Sequence, residues 1–165
     1  MMGEYNEAVY AYSQAAKVQD ALSGVALLKR GIALTELKRY DEALEDLKLV
    51  IAQDPKHSEA FYFKGLVLSK KGDPNEATLC FEQSIKHNTS NKAVVKSLYE
   101  IARIKIEGRN FYEAAHTIHR AELMGLDQTY FKKLKLFTEG VIIIFYEDLE
   151  VYLQSIGHIF DEEEI

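Results

Sequence analysis

Two histidines and a glutamate share one short segment and have the spacing best suited to metal chemistry. Glu113, His116 and His119 are three residues apart from one another, so a helix would place them on one face. A Glu-x-x-His motif helps to bind iron in helical bundles when a second such motif and two further glutamates meet it. This chain has one such motif. We therefore predict no metal site, and we expect these histidines to face solvent or to be partly packed.

The lone cysteine, Cys80, is the second candidate for chemistry, as a nucleophile. It directly precedes Phe81 in an apolar pattern, and no histidine is evident as its base, so a packing role is the better interpretation. A single cysteine also excludes an intrachain disulfide and a cysteine zinc site. The chain has no glycine-rich phosphate loop, no Gly-x-Ser-x-Gly and no His-Glu-x-x-His. We predict no catalytic residue and no cofactor, and therefore a protein that is not an enzyme.

Composition narrows the class of partner. The 165 residues are 47% hydrophobic and carry 20 Lys and Arg against 26 Asp and Glu, a net charge of −6. An acidic chain is a poor ligand for nucleic acid or for an anionic membrane, since both are bound through clustered cations. The run Lys132-Lys133-Leu134-Lys135 keeps RNA binding open as a minor alternative to a solvated helix face. No apolar stretch is long enough to span a membrane, and no signal region opens the chain, so we predict a cytoplasmic location.

The elements that would position these residues recur along the chain. The segment Tyr40–Ala43 has counterparts at intervals of 34 to 37 residues: Tyr5–Ala8, Pro74–Ala77, Phe111–Ala114 and, in weaker form, Phe145–Asp148. A small residue precedes three of these alanines by 12 positions, namely Gly31, Gly65 and Ala102. Because these markers keep one phase, the chain is an array of repeated units.

Each unit has the pattern of two helices. Val25–Leu37 and Asp41–Gln53 both carry apolar residues at helical spacing. The small residue in the first helix and the alanine in the second would let the two backbones approach closely, and a larger side chain there would overpack the contact. Pro74 suits the first turn of a helix. One hairpin cannot bury its apolar faces alone, so neighbouring hairpins must stack.

These markers resemble the tetratricopeptide repeat family. The closest unit, Gly24–His57, has the family's large, small, aromatic and proline positions at Leu27, Gly31, Leu34, Tyr40, Ala43, Leu47, Val50 and Pro55. The resemblance implies an all-α fold, an α-solenoid of antiparallel helix hairpins that forms a right-handed superhelix with a concave groove. We predict an array over residues 1–126, made of a half repeat (1–20) and repeats at about 24–57, 58–91 and 95–126. Residues 127–160 would form a degenerate fourth repeat or capping helices, and 161–165 an acidic tail.

The resemblance also implies where a partner would bind, because the first helix of each repeat lines the groove in this family. The predicted groove residues are Leu28, Ile32 and Thr35, then Tyr62, Leu66, Ser69 and Lys70, then Tyr99, Arg103 and Ile106. Such an apolar and aromatic floor with two cations suits an extended or helical peptide of a partner protein. The alternative is that some of these side chains pack against a neighbouring helix.

One subclass of the family binds the C-terminal tails of chaperones through a clamp of Lys, Asn and Arg side chains. If the Gly24 unit is taken as the first, the Lys and Asn positions hold Leu28, Ile32 and Phe63, and Glu100 stands where Arg is required. The alternative register places Lys29, Glu59 and Phe63 there. Because a buried carboxylate without donors costs several kcal/mol, we predict no two-carboxylate clamp.

The resemblance favours a non-catalytic interaction module, a scaffold or adaptor. The alternative is a self-assembling structural component of a larger complex. It would associate through an uncapped N-terminal face and through the apolar patch Val141, Ile142, Ile143 and Ile144. A plainer interpretation of that patch is an altered turn in a capping unit. Because the array opens on the second helix of a repeat, we expect a fragment of a longer array.

Overall fold

Seven α-helices make up the described part of the protein. The computed structural model describes residues 2–17, 22–87, 91–124 and 135, and no strand occurs in them. The helices are α1 (Met2–Ala15), α2 (Leu22–Glu36), α3 (Tyr40–Gln53), α4 (Ser58–Lys71), α5 (Pro74–His87), α6 (Asn91–Glu107) and α7 (Phe111–Leu123). The predicted helices Val25–Leu37 and Asp41–Gln53 correspond to α2 and α3, and α5 begins at Pro74 as expected.

The helices pack in the order in which they occur in the chain. Three hairpins form between α2 and α3, between α4 and α5, and between α6 and α7, while α1 packs on α2. Each hairpin contacts the next, through α3 with α4 and through α5 with α6. The first helices also meet one another, α2 with α4 and α4 with α6. This arrangement confirms the predicted all-α solenoid of helical hairpins.

Close helix crossings hold each hairpin together. The three alanines that define the repeat phase, Ala43, Ala77 and Ala114, are completely buried. Opposite them, a Cβ added to Gly65 would lie 2.7 Å from the Phe81 ring, and one added to Gly31 would lie 3.3 Å from Leu47 Cγ. The predicted role of a small residue at the crossing is therefore confirmed for these two glycines.

The turn inside each hairpin has the same geometry three times. Lys38, Gly72 and Arg109 each lie five positions before the alanine of their repeat. Their φ angles are all positive, at 59°, 96° and 58° respectively. The next backbone N–H, for example that of Asp73, donates to the carbonyl five residues back, Leu68, at 2.9 Å. This left-handed ending satisfies carbonyls at the helix terminus and reverses the chain direction.

The apolar core extends along the array and does not gather at one centre. One cluster of buried side chains runs from Leu27 on α2 to Ile104 on α6, and a second lies between α6 and α7. Ile85 packs against both clusters and so connects them. This distribution is what stacked hairpins require, because each unit buries its apolar faces against its neighbours.

Candidate functional site

The predicted groove residues lie on α2, α4 and α6, the three helices that contact one another across the repeats. Two of them belong to the core. Leu28 is 3% exposed and Thr35 is 6% exposed, and the Thr35 hydroxyl donates to the Gly31 carbonyl at 2.7 Å. These two side chains stabilise the fold from within and present no surface to a partner.

Five apolar members of the predicted groove are half-buried and therefore keep part of their surface in solvent. They are Ile32, Tyr62, Leu66, Tyr99 and Ile106, and we call them the groove residues. Tyr62 is anchored at its base, with its ring centroid 5.3 Å from that of Phe63 and 5.8 Å from that of Phe81. Tyr99 packs against the cluster between α6 and α7. Anchored aromatic side chains lose little conformational entropy when a ligand covers them.

The polar members of the predicted groove are linked across neighbouring repeats. Arg103 on α6 donates to Ser69 Oγ on α4 at 3.2 Å, and it forms ion pairs with Glu100 and Glu107. Burial lowers the pKa of Arg103, but the two glutamates outweigh burial and the pKa is raised. The charge of Arg103 is thus already neutralised by carboxylates of this chain.

Lys70 has a looser arrangement. Its Nζ lies 3.1 Å from Glu36 Oε1 on α2, and both side chains are 44% exposed. A surface pair of this kind contributes little to stability and is screened by salt. A partner can therefore exchange with either member of the pair at low energetic cost.

A partly buried ion pair between α2 and α3 was missed by sequence reasoning. The Arg30 guanidinium binds both carboxylate oxygens of Asp46, at 2.7 and 2.6 Å, and donates to Ser13 Oγ at 3.2 Å. The Asp46 side chain is only 4% exposed. The hydrogen bond to Asp46 is the main cause of the raised pKa of Arg30. The available signal was Asp46 itself, a charged residue between the apolar positions Leu44 and Leu47.

The side chains that were first considered for chemistry are buried or make contacts within the fold. Cys80 is 6% exposed, and burial raises the pKa of its thiol, which leaves it a poor nucleophile. Glu113 pairs with Lys105, whose hydrogen bond lowers the pKa of the Glu113 carboxyl. His119 Nδ1 lies 3.5 Å from Glu122 Oε2. In residues 2–17, 22–87, 91–124 and 135, no cluster of three His, Cys, Asp or Glu side chains could hold a metal ion.

Several predictions fall on residues that the structure does not describe. The patch Val141–Ile144, the acidic tail 161–165, and Lys132 and Lys133 of the basic run all lie outside the described residues. Lys135, the last member of that run, forms an ion pair with Glu122. Within the described part of the chain, no helix is long and apolar enough to cross a membrane.

Comparison with known proteins adds a family and several distant relatives. The tetratricopeptide repeat family matches residues 2–58 and 28–91, which together make up more than half of the chain. The chain is 25% identical over 100 residues to heat shock protein STI1 of Saccharomyces cerevisiae. It is 28% identical over 105 residues to small glutamine-rich tetratricopeptide repeat-containing protein 2 of the same yeast, and 25% identical over 124 residues to peptidyl-prolyl cis-trans isomerase FKBP42 of Arabidopsis thaliana.

These matches cover most of this chain but a small part of each relative. They include 61%, 63% and 73% of the chain, against 17%, 30% and 33% of the three relatives. The chain therefore spans a third or less of the length of the relatives that it matches.

Proposed function

Because the chain belongs to the tetratricopeptide repeat family, we propose that it is a non-catalytic protein-interaction module, an adaptor or scaffold segment. It binds a peptide or a helix of a partner protein along α2, α4 and α6. The observation that carries this proposal is the row of half-buried groove residues on these three neighbouring helices, from Ile32 to Ile106. A cytoplasmic location remains part of the proposal.

The chemistry of this face favours a partner with apolar anchors. Tyr62 and Tyr99 pack against the core and are half-buried, and aromatic residues often dominate the affinity of an interface. The cation Arg103 is occupied by Glu100 and Glu107, so a partner carboxylate would have to compete with both. This arrangement supports our prediction that no two-carboxylate clamp operates here.

Site-specific crosslinking tests the groove. A photoreactive phenylalanine analogue that replaces Tyr62 or Tyr99 keeps an aromatic ring at the position, and we expect it to crosslink to the partner. The matched control is the same analogue at Tyr112 on α7, which is 68% exposed. Absence of crosslinking at this more exposed tyrosine would show that contact with the partner depends on where a residue lies and not on how exposed it is.

Alanine substitution provides a result that could contradict the groove proposal. The double variant Tyr62→Ala with Tyr99→Ala should lose most partner recovery while its circular dichroism remains helical. If a folded double variant recovers the partner as well as the parent chain does, the groove is not the binding surface.

Self-assembly is the second candidate function, and one described side chain favours it. Tyr10 on α1 is 70% exposed, and aromatic residues are enriched where protein surfaces contact one another. Light scattering over a range of concentrations tests this candidate. An increase in mass with concentration that Tyr10→Ser abolishes would support it, and a constant monomer mass would exclude it.

A further inference from the structure

A second surface, formed by residues other than the groove residues, is rich in lysine although the chain as a whole is acidic. A cleft of about 390 Å³ opens between α3, α4 and the turn into α5. Its lining includes the lysines Lys48, Lys64 and Lys71, against the carboxylates of Asp73 and Glu76. The lining residues therefore carry one excess positive charge in a chain whose net charge is −6, before the exposed Asp41 that pairs with Lys71 is counted.

We propose that this cleft binds an acidic peptide segment of a partner protein, with carboxylates on the lysines and an aliphatic side chain on the floor between them. This site is independent of the groove proposed above. It uses α3, the second helix of its repeat, together with residues of α4 and α5. The groove residues occupy other positions on α2, α4 and α6.

The cations of the cleft are available to a ligand. Among the described residues, Lys48 and Lys64 take part in no ion pair, whereas Lys71 Nζ lies 2.6 Å from Asp41 Oδ1. The Asp41 side chain is 83% exposed, so this pair is weak and exchangeable. Asp73 is less able to compete, because its carboxylate already accepts the Glu76 backbone N–H at 3.2 Å and caps α5.

The floor of the cleft supplies an apolar contact. Leu44 and Leu68 line the cleft and are otherwise buried, at 7% and 5% exposure. The volume falls within the range of about 300–1,000 Å³ that is common for ligand sites. It can therefore accept an aliphatic side chain in addition to the charged groups.

The lysine spacing indicates an extended peptide and not a compact anion such as phosphate. Lys64 and Lys71 are seven residues apart on α4, which corresponds to about 10 Å along a helix axis. In an extended peptide, side chains four positions apart point to the same side and lie about 13 Å apart along the strand, a span that long lysine side chains can meet. A Glu-x-Leu-x-Glu segment presents both glutamates and the leucine on that one side, and it therefore matches both the charges and the floor.

Fluorescence anisotropy with the full chain tests the proposal. The probe is a labelled peptide, acetyl-Gly-Glu-Ala-Leu-Ala-Glu-Gly-amide, and its control has glutamine in place of both glutamates. We expect the charged probe to bind more tightly than the control, and its affinity to fall as salt rises. The variant Lys48→Glu with Lys64→Glu should weaken binding at least tenfold, and Glu76→Gln should strengthen it two- to threefold.

A matched pair of substitutions separates the cleft from net charge. Lys29→Glu with Lys86→Glu makes the same change in charge at two exposed lysines on α2 and α5 that do not line the cleft. If this variant weakens the probe as much as the cleft variant does, the binding is non-specific and the proposal is wrong. The proposal is also wrong if the cleft variant, still helical by circular dichroism, binds the probe as the parent does.

Two further measurements identify the occupant. Inorganic phosphate that displaces the probe at equal concentration would overturn the assignment of a peptide. Removal of residues 161–165 should leave the affinity unchanged, and a tenfold gain would overturn the assignment of a partner by showing that the chain's own acidic segment competes for the cleft. Neither outcome affects crosslinking at Tyr62 and Tyr99, so this proposal and the groove proposal fail separately.

Discussion

At the scale of single residues, Gly65 is the position where one added carbon has the clearest consequence. A Cβ there would meet three atoms of the Phe81 ring at 2.7 to 2.9 Å, and that ring is completely buried. We predict that Gly65→Ala lowers the free energy of unfolding by about 1–3 kcal/mol, as measured by urea denaturation. Gly31→Ala is the matched control, since its nearest contact is 3.3 Å. An equal loss in both variants would contradict the steric explanation.

The left-handed turn residues make a prediction in the opposite direction. Lys38 and Arg109 adopt a conformation that side chains disfavour, with φ near 60°, whereas Gly72 occupies the equivalent turn without that penalty. Lys38→Gly should therefore stabilise the protein by up to about 1 kcal/mol, and Gly72→Ala should destabilise it by about the same amount.

Thermal unfolding of these turn variants measures the effect. A control in the middle of α3, Lys48→Gly, should lose about 1 kcal/mol, because glycine is a poor helix former. Destabilisation by Lys38→Gly would show that its side chain makes a contact that outweighs the backbone strain.

At the scale of helices, the pair Arg30 and Asp46 joins the first three elements. It connects α2 to α3, and its hydrogen bond to Ser13 extends the link to α1. Arg30→Met leaves the buried Asp46 carboxylate without its partner, and we expect a loss of about 3–5 kcal/mol in the free energy of unfolding. Replacing both residues, Arg30→Met with Asp46→Leu, should restore most of this loss.

An exposed ion pair of the same two-bond geometry is the control for that prediction. Arg39 binds both carboxylate oxygens of Glu42, but the two side chains are 44% and 53% exposed. Arg39→Met should change the stability far less than Arg30→Met does, because water solvates the remaining carboxylate. Similar losses in the two single variants would show that burial does not determine the contribution of the pair.

At the scale of the whole molecule, the described helices contact mainly their neighbours in the chain, with smaller contacts of α2 with α4 and of α4 with α6. Stability is then a sum of local terms, and damage to one repeat spreads to its neighbours and little further. We predict that Leu47→Ala, at a completely buried position on α3, speeds amide hydrogen exchange in α2 and α3 much more than in α7. Uniformly faster exchange in all helices would indicate one cooperative unit.

Much of the fold could be predicted because periodic residue types carry it. The alanines 43, 77 and 114, with the glycines that oppose two of them, mark the helix crossings, and these positions repeat in the sequence itself. The turn geometry was only partly visible. Gly72 signals a left-handed turn, but Lys38 and Arg109 adopt the same conformation without glycine, because the packing of each hairpin overrides the local preference.

The candidate site was less accessible to sequence reasoning. The family pattern places Leu28, Thr35 and Tyr62 on first helices of repeats, but it does not report how far each helix is rotated against its neighbours. The structure buries Leu28 and Thr35 and leaves Tyr62 half-buried. Leu28 and Tyr62 hold the same position in successive repeats, 34 residues apart, so the surroundings of each repeat decide whether that side chain stabilises the core or can touch a partner.

The sequence by itself determined that this protein is an array of helical hairpins, because the spacing of small and apolar residues along one chain is sufficient to specify helices and their crossings. Only the tertiary structure decided which groove positions keep an accessible surface, that Arg30 pairs with the buried Asp46, and that Lys48 and Lys64 share a cleft. These features depend on side chains from different helices meeting in space. The pattern of residues within a single helix does not predict such contacts between helices.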